Sequence, residues 1–328
     1  MNVTLFLVLL TALAGAPDWA SRSGKVMSTR LDVVLPSSQL EHAALVFDVF
    51  RDIEARMNEW KPDSPLTAVN EAAGQPIAVK TPADLRALLR RGLEIGALTG
   101  GAFDVSWAAM WRLWDFSAEA PRPPEASEIT RRVALVDYRK VELDDAAGTV
   151  RLPVAGMKVG LGGIAKGWSL DRAAAALRDK GVKDFTLSAG GQIFAGGQKD
   201  GRPWRVGIRD PRGAPGDWFA VVQASDTSVS TSGDYERFFV HDGGRYHHIL
   251  DPRTGRPSQG LRSATVVTAD ATLADALSTA LMVMGYARAL ALVSRLDGVE
   301  CVLVDAQGKV HVSAGLSDRL VTRHPPRP

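Results

Sequence analysis

The sequence has a single cysteine, Cys301, so no internal disulfide can form, and four-cysteine zinc sites and paired-thiol redox motifs are excluded. An excess of one charge is also lacking. The 39 Lys and Arg are matched by 37 Asp and Glu, no basic stripe stands out, and binding to a nucleic-acid backbone is not indicated. Nor is there an apolar run long enough to span a bilayer comfortably, which takes about 20 residues. The nearest, Met1–Ala16, ends on Ala14-Gly15-Ala16, a small-x-small cleavage pattern, with Ala20 as a second candidate end. No Lys or Arg precedes its apolar core, yet an export leader within residues 1–20 remains the better reading. No Cys lies near Ala16, so lipid attachment there is excluded. The expected product is soluble, exported to the periplasm, and free of membrane segments.

What remains is a mixture of elements without regular βαβ alternation, which predicts the α+β class. Lys25–Leu35 reads as a strand, and Ser38 as the cap of a long amphipathic helix burying Leu40, Ala44, Phe47, Phe50, Ile53 and Met57. A second helix opens at Thr81-Pro82 and stops at Gly100-Gly101. Later strands are expected at 184–188, 204–209, 218–223, 237–240 and 263–268, then a helix over Ala271–Met284 and a hairpin at 300–313. The Pro-rich stretch Glu119–Glu128 decorates what reads as one domain, residues 25–320.

The densest chemistry lies in Tyr246-His247-His248-Ile249-Leu250-Asp251-Pro252-Arg253-Thr254-Gly255, where two imidazoles, a carboxylate and a guanidinium precede a turn. This reads as a short strand delivering side chains to a pocket rim, with Asp251 either orienting His248 or starting the turn. Gly162-Gly163-Ile164-Ala165-Lys166-Gly167 leads into an Ala-rich helix, where backbone N–H groups and Lys166 could hold an anion; a tight turn with a surface lysine explains it equally well. Asp275 and Thr279, four apart on one helix face with Ser278 beside them, offer hard oxygen ligands suited to Mg²⁺, or form a plain polar flank. Phe103 and Asp104 after the glycine stop could seat a planar ring. Val229–Arg237 reads as a hydroxyl-rich turn before a strand, whose Ser and Thr could donate to phosphate or merely make local turns.

Taken in order, these segments, together with Met27-Ser28-Thr29, Met57-Asn58-Glu59-Trp60, Ser64, Asn70 and Ser188-Ala189-Gly190-Gly191, resemble the ApbE family of FAD:protein FMN transferases from about Lys25 to Ser313. The resemblance implies a T-fold-like single domain of mostly antiparallel sheet. It implies FAD as substrate, Mg²⁺ as cofactor, and transfer of FMN through a phosphoester to a Thr or Ser of an acceptor protein, such as a membrane redox-complex subunit, with release of AMP. By position, Asp275, Thr279, Ser278 and the Gly163 carbonyl would hold Mg²⁺. Met27, Trp60, Ala102, Phe103, Asp104, Lys166 and Ile249 would line the FAD site; His248 would act as base, and Lys166 would also serve the catalysis. The chain departs from the family where an acidic residue usually stands six positions before the lysine, for that position is Gly160. No acceptor motif occurs in the chain, so the acceptor is expected to be another protein. Mg²⁺-dependent FAD hydrolysis and non-catalytic FAD binding are the competing readings.

Overall fold

The structure, a computed structural model, describes residues 18–322 and 324–327, so most of the expected leader lies outside the described residues. Eight strands form one antiparallel sheet in which spatial order follows chain order: β1 (Trp19–Val26), β2 (Thr29–Pro36), β3 (Phe185–Ala189), β4 (Gln192–Gly196), β5 (Thr227–Gly233), β6 (Leu261–Thr268), β7 (Glu300–Asp305) and β8 (Val310–Val312). The helices are α1 (Ala43–Met57), α2 (Pro65–Glu71), α3 (Ala83–Leu98), α4 (Ala126–Val133), α5 (Ala165–Asp179), α6 (Ala271–Met284) and α7 (Tyr286–Val293). The expected α+β architecture is the observed one.

The sheet is covered on both faces. One face carries α1, α5 and α6, with Phe50, Leu170, Leu177 and Phe185 among the fully buried side chains between them. The other face meets a three-stranded sheet of residues 204–209, 218–224 and 320–322, and Phe219, Val222, Val267 and Val304 fill the layer between. Alternation along β5 sorts its residues: Val229 joins that layer, while Ser228, Ser230 and Ser232 face the helices. Each large apolar side chain so buried contributes about 1.5–3 kcal/mol.

Four local expectations are corrected. Lys25–Leu35 is not one strand but the end of β1, a turn, and most of β2, paired from Trp19↔Pro36 to Val26↔Thr29. Met27 and Ser28 make the turn at φ 49° and 57°, a left-handed conformation that usually selects Asn-Gly, so the sequence carried no turn signal. Ser38 caps nothing. Residues 37–42 form a 3₁₀ segment without a side-chain cap, and α1 begins at Ala43 with Ala43 and Val46 buried beside Phe47 and Phe50. Thr81 likewise makes no cap bond, since Pro82 precedes the first turn of α3. Of the turn expected over 229–237, residues 234–237 do turn, but 229–233 are the end of central strand β5, their hydroxyls partnered across the sheet and against α6.

The domain start at residue 25 is six residues late, because Trp19 and Ala20 already pair in the sheet. Cleavage after Ala16 would leave β1 whole, whereas cleavage after Ala20 would remove its first two residues.

The closest approach of backbones joins α5 to α6. A Cβ on Gly167 would lie 2.1 Å from the carbonyl oxygen of Ala271, so only glycine permits this crossing. Gly167→Ala is expected to destabilise the fold by about 1–3 kcal/mol through overpacking, read as a lowered urea midpoint. An unchanged midpoint would show that the crossing can relax.

Candidate active site

The crossing at Gly167 sets the site. α5 starts directly after the Gly162-Gly163 turn, and its second residue, Lys166, extends to α6. Lys166 Nζ lies 3.3 Å from Asp275 Oδ1 and donates to the Gly162 carbonyl at 3.1 Å. The Gly167 amide donates to Asp275 Oδ2 at 3.0 Å. Asp171, one turn further along α5, accepts from the Ala271 and Thr272 amides at 2.9 and 2.8 Å, holding the first turn of α6. Lysine and aspartate are therefore fixed against each other from two sides.

Thr279 sits one turn beyond Asp275. A Cβ on Gly163 would stand 3.8 Å from its Oγ1, so the glycine turn passes close above that hydroxyl. Thr279 Oγ1 also lies 3.4 Å from Ser232 Oγ on β5. Ser278 is more deeply set: it donates to the Asp275 carbonyl at 2.9 Å and meets Ser232 and Ser230 at 2.8 and 3.3 Å. These contacts make it a hub joining α6 to β5. The donor set of one carboxylate, hydroxyls and a backbone carbonyl is all hard oxygen, which fits an ion that completes its shell with water and phosphate oxygens. Among the described residues no cluster of three or more His, Cys, Asp or Glu could hold a metal ion.

The two adjacent histidines have different surroundings. His247 is buried; its Nε2 meets the Ser258 carbonyl at 2.7 Å and its Nδ1 accepts from the Ile249 amide, so both nitrogens are used and the Nε2–H tautomer is set. His248 lies where the strand of residues 244–247 ends and a short hairpin, 250–251 with 256–257, begins. The residue as a whole is exposed, but protein crowds its imidazole. That crowding, then the nearby His247, Arg237 and Lys166, push its pKa down to about 4, against a smaller opposing effect of the Arg237 carbonyl. His248 is therefore neutral near pH 7.

Asp251 does not orient that ring. It forms a two-point pair with Arg253, 2.8 Å to Nε and 2.7 Å to Nη2, and its carbonyl accepts from the Thr254 and Gly255 amides. Of the two roles left open for Asp251, the structure shows the turn. Gly255 closes it at φ 65°, held by Trp114 Nε1 donating to its carbonyl at 2.8 Å.

The residues expected to line a ring site fall into two groups. Met27 and Trp60 offer surface: Met27 Sδ approaches Ser169 Oγ at 3.7 Å, and Trp60 is 45 % exposed, its ring centroid 3.7 Å from that of Trp111. Ala102, Phe103, Asp104 and Ile249 are buried. Phe103 backs the glycine turn, 3.3 Å from where a Gly163 Cβ would stand. Asp104 spends its carboxylate on the Ser106 amide and hydroxyl and the Tyr138 amide, while burial raises its pKa overall. The ring-seating role expected of its side chain is thus already taken by local structure. Ser64 and Asn70 are also structural: Ser64 caps α2, and Asn70 clamps both backbone groups of Val159, just before the glycine turn.

The sequence reading placed one site residue on the wrong element and passed over two others. Ser232 was expected on a turn, its hydroxyl a possible phosphate donor, and lies on a strand. Arg212 pairs at two points with the buried Asp234, both contacts 2.7 Å, and nothing in the local pattern of Arg212 foretold it. Glu59 is the third. It occupies the middle of Met57-Asn58-Glu59-Trp60, a loop tightened by the Trp60 amide donating to Asn58 Oδ1 at 2.8 Å. Burial pushes its carboxyl up to about 7, only partly opposed by the amides of Glu59 and Leu161. Its place beside Trp60 was the available signal.

An antiparallel sheet carrying a lysine–aspartate pair at a glycine-led helix start, a hydroxyl row and a neutral histidine defines a site for anionic ligands. The ApbE family model matches residues 27–303, and the chain belongs to that family. It is 36 % identical over 315 residues to the FAD:protein FMN transferase of Treponema pallidum, covering 90 % of this chain and 86 % of that one. With the enzyme of the same name from Vibrio cholerae it shares 33 % over 304 residues, 88 % and 90 % of the two chains. The crystal structure of the ApbE protein from Thermotoga maritima superposes with a TM-score of 0.82 at 32 % identity, covering 91 % of this chain and 98 % of that one. The flavin transferase ApbE from Vibrio cholerae gives 0.81 at 25 % identity, covering 92 % and 99 %.

The histidine assignment has a pH signature. Because the His248 pKa is depressed in the fold, its contribution to stability is fully present above the unfolded value of about 6.5 and is lost as pH falls towards 4. NMR titration should place the His248 midpoint near 4; a midpoint above 6.5 would contradict the burial described.

Proposed function

We propose that this protein transfers the FMN part of FAD through a phosphoester bond to a Thr or Ser hydroxyl of another protein, in a Mg²⁺-dependent reaction that releases AMP. The observation that carries the reading is the Lys166–Asp275 pair at the start of α5, beside the Thr279 and Ser232 hydroxyls and within the electrostatic reach of a neutral His248. Phosphoryl transfer asks a protein mainly for charge neutralisation and positioning. Both are supported by a lysine and a helix N-terminus held by a glycine crossing.

In this reading the acceptor hydroxyl oxygen attacks the flavin-side phosphorus. The bond from that phosphorus to the bridging oxygen breaks, and AMP departs with the bridging oxygen. His248, neutral beforehand, takes the hydroxyl proton as the new bond forms. Lys166 leaves Asp275 free to serve as a ligand by turning towards the phosphates, and its ammonium offsets their negative charge. Asp275, Thr279 and the Gly163 carbonyl would hold Mg²⁺, with Ser278 supporting Asp275 and Ser232 from behind. Bound there, the ion supplies Lewis-acid stabilisation of the phosphate oxygens. Trp60 and Met27 present the surfaces on which the rings of FAD would lie.

The protein acceptor implies a location shared with it. We place the mature protein on the exported side of the membrane, on the strength of the apolar run Met1–Ala16, with FAD and acceptor meeting there. Mass measurement of the mature protein should find its N-terminus just after Ala16; a retained Met1 would overturn this location.

Incubation with FAD, Mg²⁺ and an acceptor protein should yield an acceptor band with covalent flavin fluorescence. His248→Ala should keep FAD binding but lower turnover about 10²–10⁴-fold. Asp275→Ala should abolish the response to Mg²⁺. An unlabelled acceptor, with AMP released equally fast in its absence, would replace transfer by hydrolysis.

A further inference from the structure

The Glu59 carboxylate has an oxygen, Oε1, that is shut from solvent without any hydrogen-bond partner. A buried orphan of this kind costs stability and calls for a reason. Its surroundings supply one. A Cβ built on Gly160 would come within 2.9 Å of Glu59 Oε1, 2.9 Å of Ala108 Cβ and 3.3 Å of Trp107 Nε1. The carboxylate thus fills the space in which a side chain at position 160 would have to lie. It does so between two exposed elements of the candidate site, Trp60 on its own loop and Gly162 on the glycine turn, where a Gly162 Cβ would stand 4.0 Å from the same oxygen.

The backbone on both sides is fixed. Asn58 tightens the Glu59–Trp60 loop, Asn70 clamps Val159, the Gly160 amide donates to the Val105 carbonyl at 2.8 Å, and Trp107 Nε1 donates to the Gly160 carbonyl at 3.2 Å. The amides of Glu59 and Leu161 act on the carboxylate, and Oε1 alone is left without a donor from the chain.

We infer that Glu59 is a ligand-binding residue, its carboxylate accepting a hydrogen bond from an N–H carried on a flat ring of the bound dinucleotide, and that it takes over from the side chain missing at Gly160. The flavin imide and the adenine exocyclic amine both offer such a donor on a flat ring of the kind Trp60 would stack against. The inference rests on the reading of FAD as substrate. Replacement of an acid on the glycine turn by one from the Trp60 loop moves the group across the space but keeps its chemistry.

The test is binding, not turnover. FAD affinity is measured by quenching of flavin fluorescence for the wild type, Glu59→Gln, Glu59→Ala and the double variant Glu59→Ala/Gly160→Asp. Glu59→Ala should weaken FAD binding about tenfold or more, the scale of a lost charged hydrogen bond. Glu59→Gln, which keeps the shape and one acceptor, should lose less, and it serves as the reading if the alanine variant fails to fold. The double variant should regain affinity over Glu59→Ala, because the emptied space admits the new carboxylate. FMN and AMP as separate probes identify the ring: loss confined to FMN assigns the flavin imide, and loss confined to AMP the adenine amine. Wild-type protein that binds no FAD would sink the function and this inference together. Wild type that binds, with Glu59→Ala and Glu59→Gln within twofold of it, would overturn the role of Glu59 alone.

Discussion

The bare backbone contact of Gly167 against Ala271 governs the geometry of this protein. Two helices can cross this closely only where one of them has no side chain. At that crossing the Gly167 amide reaches Asp275, Asp171 reaches the first turn of α6, and Gln192 Nε2 donates to the Ala271 carbonyl at 2.8 Å. Strand β4, α5 and α6 are thereby locked within one small volume. The Lys166–Asp275 pair is a product of that lock, because a wider crossing would separate the ammonium from the carboxylate. Packing and electrostatics are here one constraint.

The charges of the site are few and chosen by position. One lysine and one aspartate nearly cancel, so an incoming pyrophosphate meets the helix start and a mobile ammonium instead of a fixed excess of positive charge. The same lysine helps to keep His248 unprotonated. Negative phosphates placed between them would act in the opposite direction and raise the pKa of the imidazole towards the working pH. The proposed base thus becomes stronger as the substrate binds, and an empty site leaves it weak.

Much of the fold was legible because its later half is written in strong patterns. Ala271–Met284 is the observed helix α6 to the residue, and residues 204–209 form the expected strand. The failures share a physical cause, which is that polar residues were read by their local habits. Ser230 and Ser232 prefer turns in isolation, yet here α6 provides hydroxyl partners and the segment stays extended. Met27 and Ser28 turn the chain although neither suits a left-handed conformation, because eight paired positions on either side over-determine the hairpin. Within the site, position in a motif located Lys166, Asp275 and Thr279 together, while the local bonds that engage the Asp104 carboxylate were visible only in the fold. Glu59 was passed over although Trp60 beside it and the glycine at 160 were both noted, because only the fold brings its carboxylate into the space next to Gly160.

The row of hydroxyls from β5 to α6 has a consequence for how this family member can change. Ser228 meets Gln192, and Ser230 and Ser232 meet Ser278, so a polar seam runs between the helix-facing side of β5 and its neighbours. An apolar layer tolerates one altered side chain by small repacking, whereas removal of one hydroxyl here strands its partner without water. Accepted changes along the seam must therefore come in matched pairs, and sequence drift should be slowest where the hydroxyl row passes beneath the lysine–aspartate pair.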